Sequence, residues 1–254
     1  MQILKHIVVD VLKSKMVVIY AIFLFILTTS VLWLSGQEAK AVVTLQNITL
    51  LVAPLMALVF SSSYIYNSKD FMALLLTQPI KRSNVFWSFY GAVALSLSIA
   101  ILLGFGLPIV LYNFSQTGLM LLLLTLILNL VFVALGVWVA VRINDKAKGL
   151  GAALLIWLFL TLVYDGLALL ILYWFQEYPL MTPVVIITAL NPIDLTRVSL
   201  LLQMDISALM GFTGAVYKEF FNSGLGVLVA LFLLIIWAIV PVLFSAKRFK
   251  ASDF

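Results

Sequence analysis

The chain contains no cysteine and a single histidine, His6, among its 254 residues. Disulfides, iron–sulfur ligation and thiolate metal sites are therefore excluded, and so is a row of imidazoles for a transition metal. Charge is scarce: 10% of residues are Asp, Glu, Lys or Arg, against 65% hydrophobic. Soluble domains average about 25% charged and about 45–50% apolar, so a water-soluble fold is excluded and the chain reads as an integral membrane protein. Also missing is any Gly-x-x-x-x-Gly-Lys-Ser/Thr loop; Lys148-Gly149-Leu150-Gly151 is not one, and ATP binding by that route is ruled out. With one histidine, neither a Ser/His/acid triad nor a metal-ligand set can be assembled, and an intrinsic enzyme is not expected.

The charges that are present are arranged. Of the 15 Lys and Arg residues, all but Lys40, Arg197 and Lys218 fall in four clusters between long apolar stretches. The clusters are Lys5/Lys13/Lys15, Lys69/Lys81/Arg82, Arg142/Lys146/Lys148 and Lys247/Arg248/Lys250. Basic residues in short loops mark the cytoplasmic face of a membrane protein. The formal net charge of +5 is thus read as a set of topology anchors, and no nucleic-acid partner is expected.

Six stretches are long enough to cross a bilayer, which takes about 20 apolar residues. They run roughly over Met16–Ser35, Val43–Tyr66, Val85–Leu111, Leu119–Val141, Leu150–Trp174 and Leu225–Ala246. Residues Ser83 to Val141 carry no charge at all, and the polar turn formers of Tyr112-Asn113-Phe114-Ser115-Gln116-Thr117-Gly118 supply the break within them. An even number of spans leaves both termini on one side, and alternate threading gathers all four basic clusters there. The expectation is a single all-α transmembrane domain over residues 1–254, N-in and C-in. The first apolar run exceeds the roughly 7–15 residues of a signal-peptide core, so it is read as a span although Ala39-Lys40-Ala41 loosely resembles a cleavage site. Pro54, Pro108 and Pro241 fall inside spans two, three and six, as simple kinks or as a hinge.

Three segments do not span. Residues 1–15 place Gln2, Lys5, His6, Asp10 and Lys13 on one arc of a helix and Leu4, Ile7, Val8, Val11 and Leu12 on the other. This suits an interfacial amphipathic helix, the alternative being an extension of the first span. The loop 67–84 is charged at both ends yet holds Phe71, Met72, Leu74, Leu75 and Leu76 in its middle, with Pro79 ending the helix. Such a run needs a cover, either the membrane surface or a groove on a cytosolic partner. The outward segment 175–223 is too long for a plain connector. Within it Asn191 can cap a helix, Pro192 suits its first position, and Asp194 can pair with Arg197 three residues on. The stretch beyond is polar on two sides, which fits either a partner or dimer contact or a structural cap. Inside span five, Asp165 must face protein or a wet cavity. It either pairs within the bundle, caps a helix break at Gly166, or serves substrate passage or a dimer contact.

The loop Lys69-Asp70-Phe71-Met72-Ala73-Leu74-Leu75-Leu76-Thr77-Gln78-Pro79-Ile80-Lys81-Arg82, together with six spans and a long outward segment before the last, resembles the permease subunits of type-2 ABC exporters. That resemblance implies that Asp70, Phe71, Leu74, Leu75 and Pro79 form a coupling helix on a cytosolic ATPase. The usual Gly of the turn and the Gly-Lys opening the next span are absent. Tyr164-Asp165, Leu190-Asn191-Pro192-Ile193-Asp194-Leu195-Thr196-Arg197 and Gly211-Phe212-Thr213-Gly214-Ala215-Val216 are similar to the NosY-type permeases of nitrous oxide reductase maturation. This second likeness implies a homodimer in the bacterial inner membrane, two ATPase copies that carry the ATP, and a periplasmic copper-site assembly protein. Asn191, Pro192, Asp194 and Arg197 are the residues expected at the partner or dimer contact of the outward segment. The alternative is an exporter of lipids, peptides or drug-like molecules on the same scaffold. Copper(I) prefers thiolate, thioether or imidazole ligands; the spans hold no Cys or His, and Met181, Met204 and Met210 are isolated. The expectation is therefore a chain that transmits movement, or passes a species other than copper ions.

Overall fold

The protein is described here by a computed structural model covering residues 2–112, 115–175, 181–203 and 224–251. Six helices are long and apolar enough to cross a membrane, and no strand occurs among the described residues. The chain is an all-α, multi-pass membrane protein.

A short helix α1 (Gln2–Lys13) ends at Ser14, whose ψ of 129° breaks the path, and α2 (Lys15–Ser35) starts the first span. The first helix is therefore separate from the span. It buries Ile7 and Val11 against the later helix α5 and leaves Lys5, His6 and Lys13 in the open. Gly36, with φ at +60°, stops α2 in the left-handed conformation that glycine adopts without strain. Helix α3 (Glu38–Asn67) crosses back and leads into the short α4 (Lys69–Leu76). Helix α5 (Arg82–Ile101) passes through a π-helical turn at Leu102–Gly106 into α6 (Leu107–Tyr112), completing the third span. The fourth span, α7 (Gln116–Arg142), is capped by Ser115, whose hydroxyl accepts from the Gly118 amide. The fifth span begins as α8 (Lys146–Leu158), with Asp145 as its cap, passes a second π-helical turn at Phe159–Val163, and ends as α9 (Tyr164–Trp174). Then come α10 (Met181–Ala189) and α11 (Pro192–Gln203), and the last span, α12 (Gly224–Ala251).

The core sits around α7, which α3 and α12 flank. Lipid tails are as apolar as leucine, so helices in a membrane associate through close packing and small residues rather than through hydrophobic exclusion. At the α3–α7 crossing the small residues Ala57, Ser61, Ser62, Ala134 and Gly136 allow that approach. A Cβ on Gly136 would collide with the Ser61 hydroxyl and the Leu58 carbonyl. Buried Asn129 of α7 donates to the Ser98 hydroxyl of α5 at 3.2 Å, a polar tie between spans. Pro54 and Pro241 lie inside continuous helices. The Trp157 indole donates to the Leu51 carbonyl, three residues before Pro54, at 3.1 Å.

All four basic clusters collect at one end of the bundle. Tyr66 donates to the Ile143 carbonyl at 2.8 Å, Lys69 to the Asn144 carbonyl at 3.0 Å, Lys146 to the Asn67 amide oxygen at 2.7 Å, and Arg82 to the Lys250 carbonyl at 3.4 Å. At the other end Trp33, Tyr112, Tyr173 and Trp174 are all exposed near helix ends, as in the aromatic belt of a membrane interface. The positive-inside rule makes the basic end cytoplasmic.

Gly136→Leu should force α3 and α7 apart, at a cost of about 1–3 kcal/mol or more. Thermal unfolding in detergent should show a clear drop in midpoint. Gly151→Ala, where an added Cβ meets nothing within 4 Å, should leave the midpoint unchanged or slightly raised.

Candidate functional site at the cytoplasmic helix and the outward ion cluster

Helix α4 has two faces. Met72 and Leu75 are 1% and 7% exposed and pack into the chain's own core, whereas Phe71 and Leu74 are 50% and 57% exposed. Leu75, expected among the coupling residues, falls on the inner side of α4 because residues three apart share a helix face, and Met72 already points inward. Phe71 leans edge-on against Phe89 with ring centroids 6.1 Å apart, which fixes the ring while leaving half of it in the open. Asp70 and Pro79 are exposed. Burial draws the Lys69 ammonium down from its ordinary pKa, and its bond to Asn144 fastens the start of α4 to the loop between spans four and five.

The second cluster lies in the outward half. Helices α10 and α11 form a hairpin whose tip enters the bundle. At that tip the Ala189 carbonyl accepts from the Trp237 indole at 3.2 Å, and the Asn191 amide donates to the Leu160 carbonyl at 2.9 Å. Trp237 and Leu160 each lie 14 residues from the cytoplasmic ends of their spans, Ala251 and Lys146, so the tip reaches about 21 Å above that end. The long outward segment is therefore in part a re-entrant hairpin. Several of its polar residues have partners inside the bundle. Asn191 is fully buried; its oxygen accepts from the Ile193 amide at 3.0 Å, as a cap should. Asn191 and Pro192 are both buried within the chain.

The π-helical turn in span five explains what Asn191 does. One extra residue in a turn leaves a carbonyl without its usual amide, and Leu160 lies in that turn. The same extra residue rotates the helix beyond it by about 100°, which sets the direction of Asp165. Its carboxylate meets Arg197 Nη1 at 2.8 Å, and the same nitrogen meets Asp194 at 3.1 Å. The neighbouring Tyr164 donates to the Ile187 carbonyl at 2.6 Å, and Gln46 of α3 donates to the Arg197 carbonyl at 2.9 Å. Asp165 is thus paired with a guanidinium rather than with a hydroxyl or backbone group, and the helix runs unbroken through Gly166. The partner is 32 residues away in the chain, and no local spacing signals it.

Two carboxylates share one guanidinium in this half-buried cluster. Burial, and then the charge of Asp165, push the Asp194 carboxyl up to about 7 from 3.8. The other oxygen of Asp165, Oδ1, is buried and has no hydrogen bond within normal geometry to any of the described residues.

The family model for the ABC-2 family transporter protein matches residues 26–254. The chain belongs to the ABC-2 transporter family. It is an ABC permease subunit, a membrane component of the kind that pairs with an ABC ATPase. The comparison with curated proteins finds no match. The Gly211–Val216 string lies outside the described residues.

A group whose folded pKa is raised stabilises the fold below its unfolded value and ceases to do so as pH rises through the folded one. The permease should therefore lose thermal stability as pH rises across the window from 3.8 to about 7, and Asp194→Asn should flatten that slope. Arg197→Gln leaves two acids facing each other and should lower the midpoint most at the upper end of the window.

Proposed function

We propose that the chain is one half of a homodimeric permease in the bacterial cytoplasmic membrane, with each copy seated on its own ATPase through the open face of α4. The observation that carries this reading is the division of α4: two core residues hold it to the bundle, while Phe71 and Leu74 project beside Asp70 on the basic side. Exposed aromatic and aliphatic anchors on a short helix suit a groove on a partner. The ties from Lys69 and Lys146 to the neighbouring loop ends would carry a push on α4 into spans two, four and five.

The proposal extends to a NosY-type role. ATP hydrolysis below would drive movement that a periplasmic copper-site assembly protein uses in maturing nitrous oxide reductase. Support comes from the likeness at Tyr164-Asp165 and at Leu190–Arg197, two strings that meet in one cluster through the Asp165–Arg197 pair. An export role for lipids, peptides or drug-like molecules remains the competing reading on this scaffold. A nitrous oxide reductase and a periplasmic β-helical protein encoded beside this chain favour the first; their absence favours the second.

Two measurements test the proposal. Phe71→Ala together with Leu74→Ala should reduce co-purification with the ATPase at least tenfold while leaving the fold intact, whereas Leu75→Ala should cost stability, about 2–4 kcal/mol. Intact coupling in the double variant removes α4 as the seat. Vesicles holding permease and ATPase should show no ATP-dependent uptake of radiolabelled copper; uptake by these two subunits alone overturns the mechanical reading.

A further inference from the structure

The cytoplasmic ends of α7 and α12 part to leave a groove of about 300 Å³, lined by Trp138, Arg142, Phe244, Lys247 and Arg248 among others. The spacing makes this a built surface. Trp138 and Arg142 are four apart on α7, and Phe244 and Arg248 four apart on α12, so each helix offers an aromatic ring with a cation one turn nearer the cytoplasm. The Arg142 guanidinium stands 5.7 Å from the centroid of the Trp138 ring, which holds it in place. Among the described residues, none of Arg142, Lys247 and Arg248 has a carboxylate within ion-pair distance.

Position favours cations here on general grounds, since basic residues gather at cytoplasmic helix ends. That alone does not account for three of them around one cavity with no acid among its described lining residues. The two helix C-termini that end here contribute roughly half a negative charge each, which leaves the groove with about two positive charges to spare. Just past the end of α7 the Tyr66 hydroxyl donates to the Ile143 carbonyl and the Lys69 ammonium to the Asn144 carbonyl.

Depth and shape decide the ligand. Ile236, Val240 and Phe244 are all exposed and form a single row, four residues apart, leading down α12 to Arg248. An anion at Arg248 would thus continue directly into an apolar track on the lipid-facing side of the helix. A free nucleotide or an acidic protein surface would make no use of such a track. The amphipathic α1 approaches the same level, because its Asp10 accepts from Tyr64, two residues before the Tyr66 that reaches Ile143. That is the level of the inner-leaflet headgroups, where basic pockets between spans take anionic lipids.

We infer that this groove binds the phosphate-bearing headgroup of an anionic phospholipid, with Arg142, Lys247 and Arg248 on the headgroup and the Phe244–Val240–Ile236 row along an acyl chain. Native mass spectrometry of the full chain from mixed micelles of phosphatidylglycerol and phosphatidylcholine provides the test. The chain should retain phosphatidylglycerol preferentially. Arg142→Gln and Arg248→Gln should each weaken that retention roughly fivefold, Arg142→Lys should keep most of it, and Lys40→Gln on the outward side should change nothing. Brominated phosphatidylglycerol should quench a fluorescence component that disappears in Trp138→Phe, while brominated phosphatidylcholine should not; this arm needs no charge variant to fold. Equal retention of both lipids, or equal quenching by both, overturns the site. Displacement of phosphatidylglycerol by inorganic phosphate alone would make it a free-anion site instead, and its displacement by the bound ATPase would make it a protein interface.

Discussion

A backbone carbonyl without a partner costs several kcal/mol in hydrocarbon, and that constraint orders much of this bundle. The chain departs from regular helix geometry at the two π-helical turns and at prolines within spans. Two of these departures meet a donor from another element. Trp157 donates to the Leu51 carbonyl, one residue on from the Leu50 carbonyl that Pro54 leaves without its amide, and Asn191 serves the Leu160 carbonyl in the turn of span five. The second case fixes the architecture of the outward half. Asn191 sits at the tip of the hairpin, so satisfying Leu160 requires the hairpin to enter the bundle. Once there, Arg197 lies within reach of Asp165, whose direction the same turn has set.

Interior close packing is the counterpart of that constraint. Gly136 lets α3 and α7 touch at backbone level, and Gly104, inside the other π-helical turn, does the same against Ala21 and Leu24 of α2. By contrast the first, fifth and sixth spans bury only 22%, 11% and 22% of their most apolar windows, against 67% for the fourth. The fourth span is a true core helix. The fifth is held chiefly at points: Lys146 at its base, Trp157 in its middle, and Asp165 near its top.

Spans and sides were legible in the sequence because both follow from short-range pattern. Apolar runs bounded by Lys and Arg mark helix ends to within a few residues, and the Ser115 and Asn191 caps are visible as local signals. The inner face of α4 was not legible. Five apolar residues in eight give no unique outward direction, and only the packing of Met72 and Leu75 resolves it. The ion cluster was half legible. Asp194 and Arg197 are neighbours on a helix and could be paired from spacing, whereas Asp165 reaches Arg197 through a turn with an extra residue. Nothing in Phe159–Val163 announces such a turn, since Leu, Thr and Val are as compatible with an ordinary helix. The Asn191 cap was visible from local signals, but its bond to the Leu160 carbonyl, 31 residues away, was not.

The two candidate regions are linked by covalent struts. Helix α3 carries Gln46, which holds the Arg197 carbonyl, and ends at Asn67, which receives Lys146 immediately before α4. Span five starts at that same Lys146 and carries Asp165 to the other side of Arg197. Arg197 is therefore gripped by two helices whose opposite ends are tied to each other next to α4. Parallel struts pinned at both ends resist bending separately and move together, so a displacement at α4 would reach Arg197 from two directions. The struts differ in kind: α3 is continuous and half-buried, while span five has a π-helical turn in its middle and little packing around it. Any relative movement between them is then taken up at Phe159–Val163, the place where Asn191 holds the tip of the hairpin. The hydrogen bond from Asn191 to the Leu160 carbonyl therefore lies where the π-helical turn of span five and the tip of the outward hairpin meet.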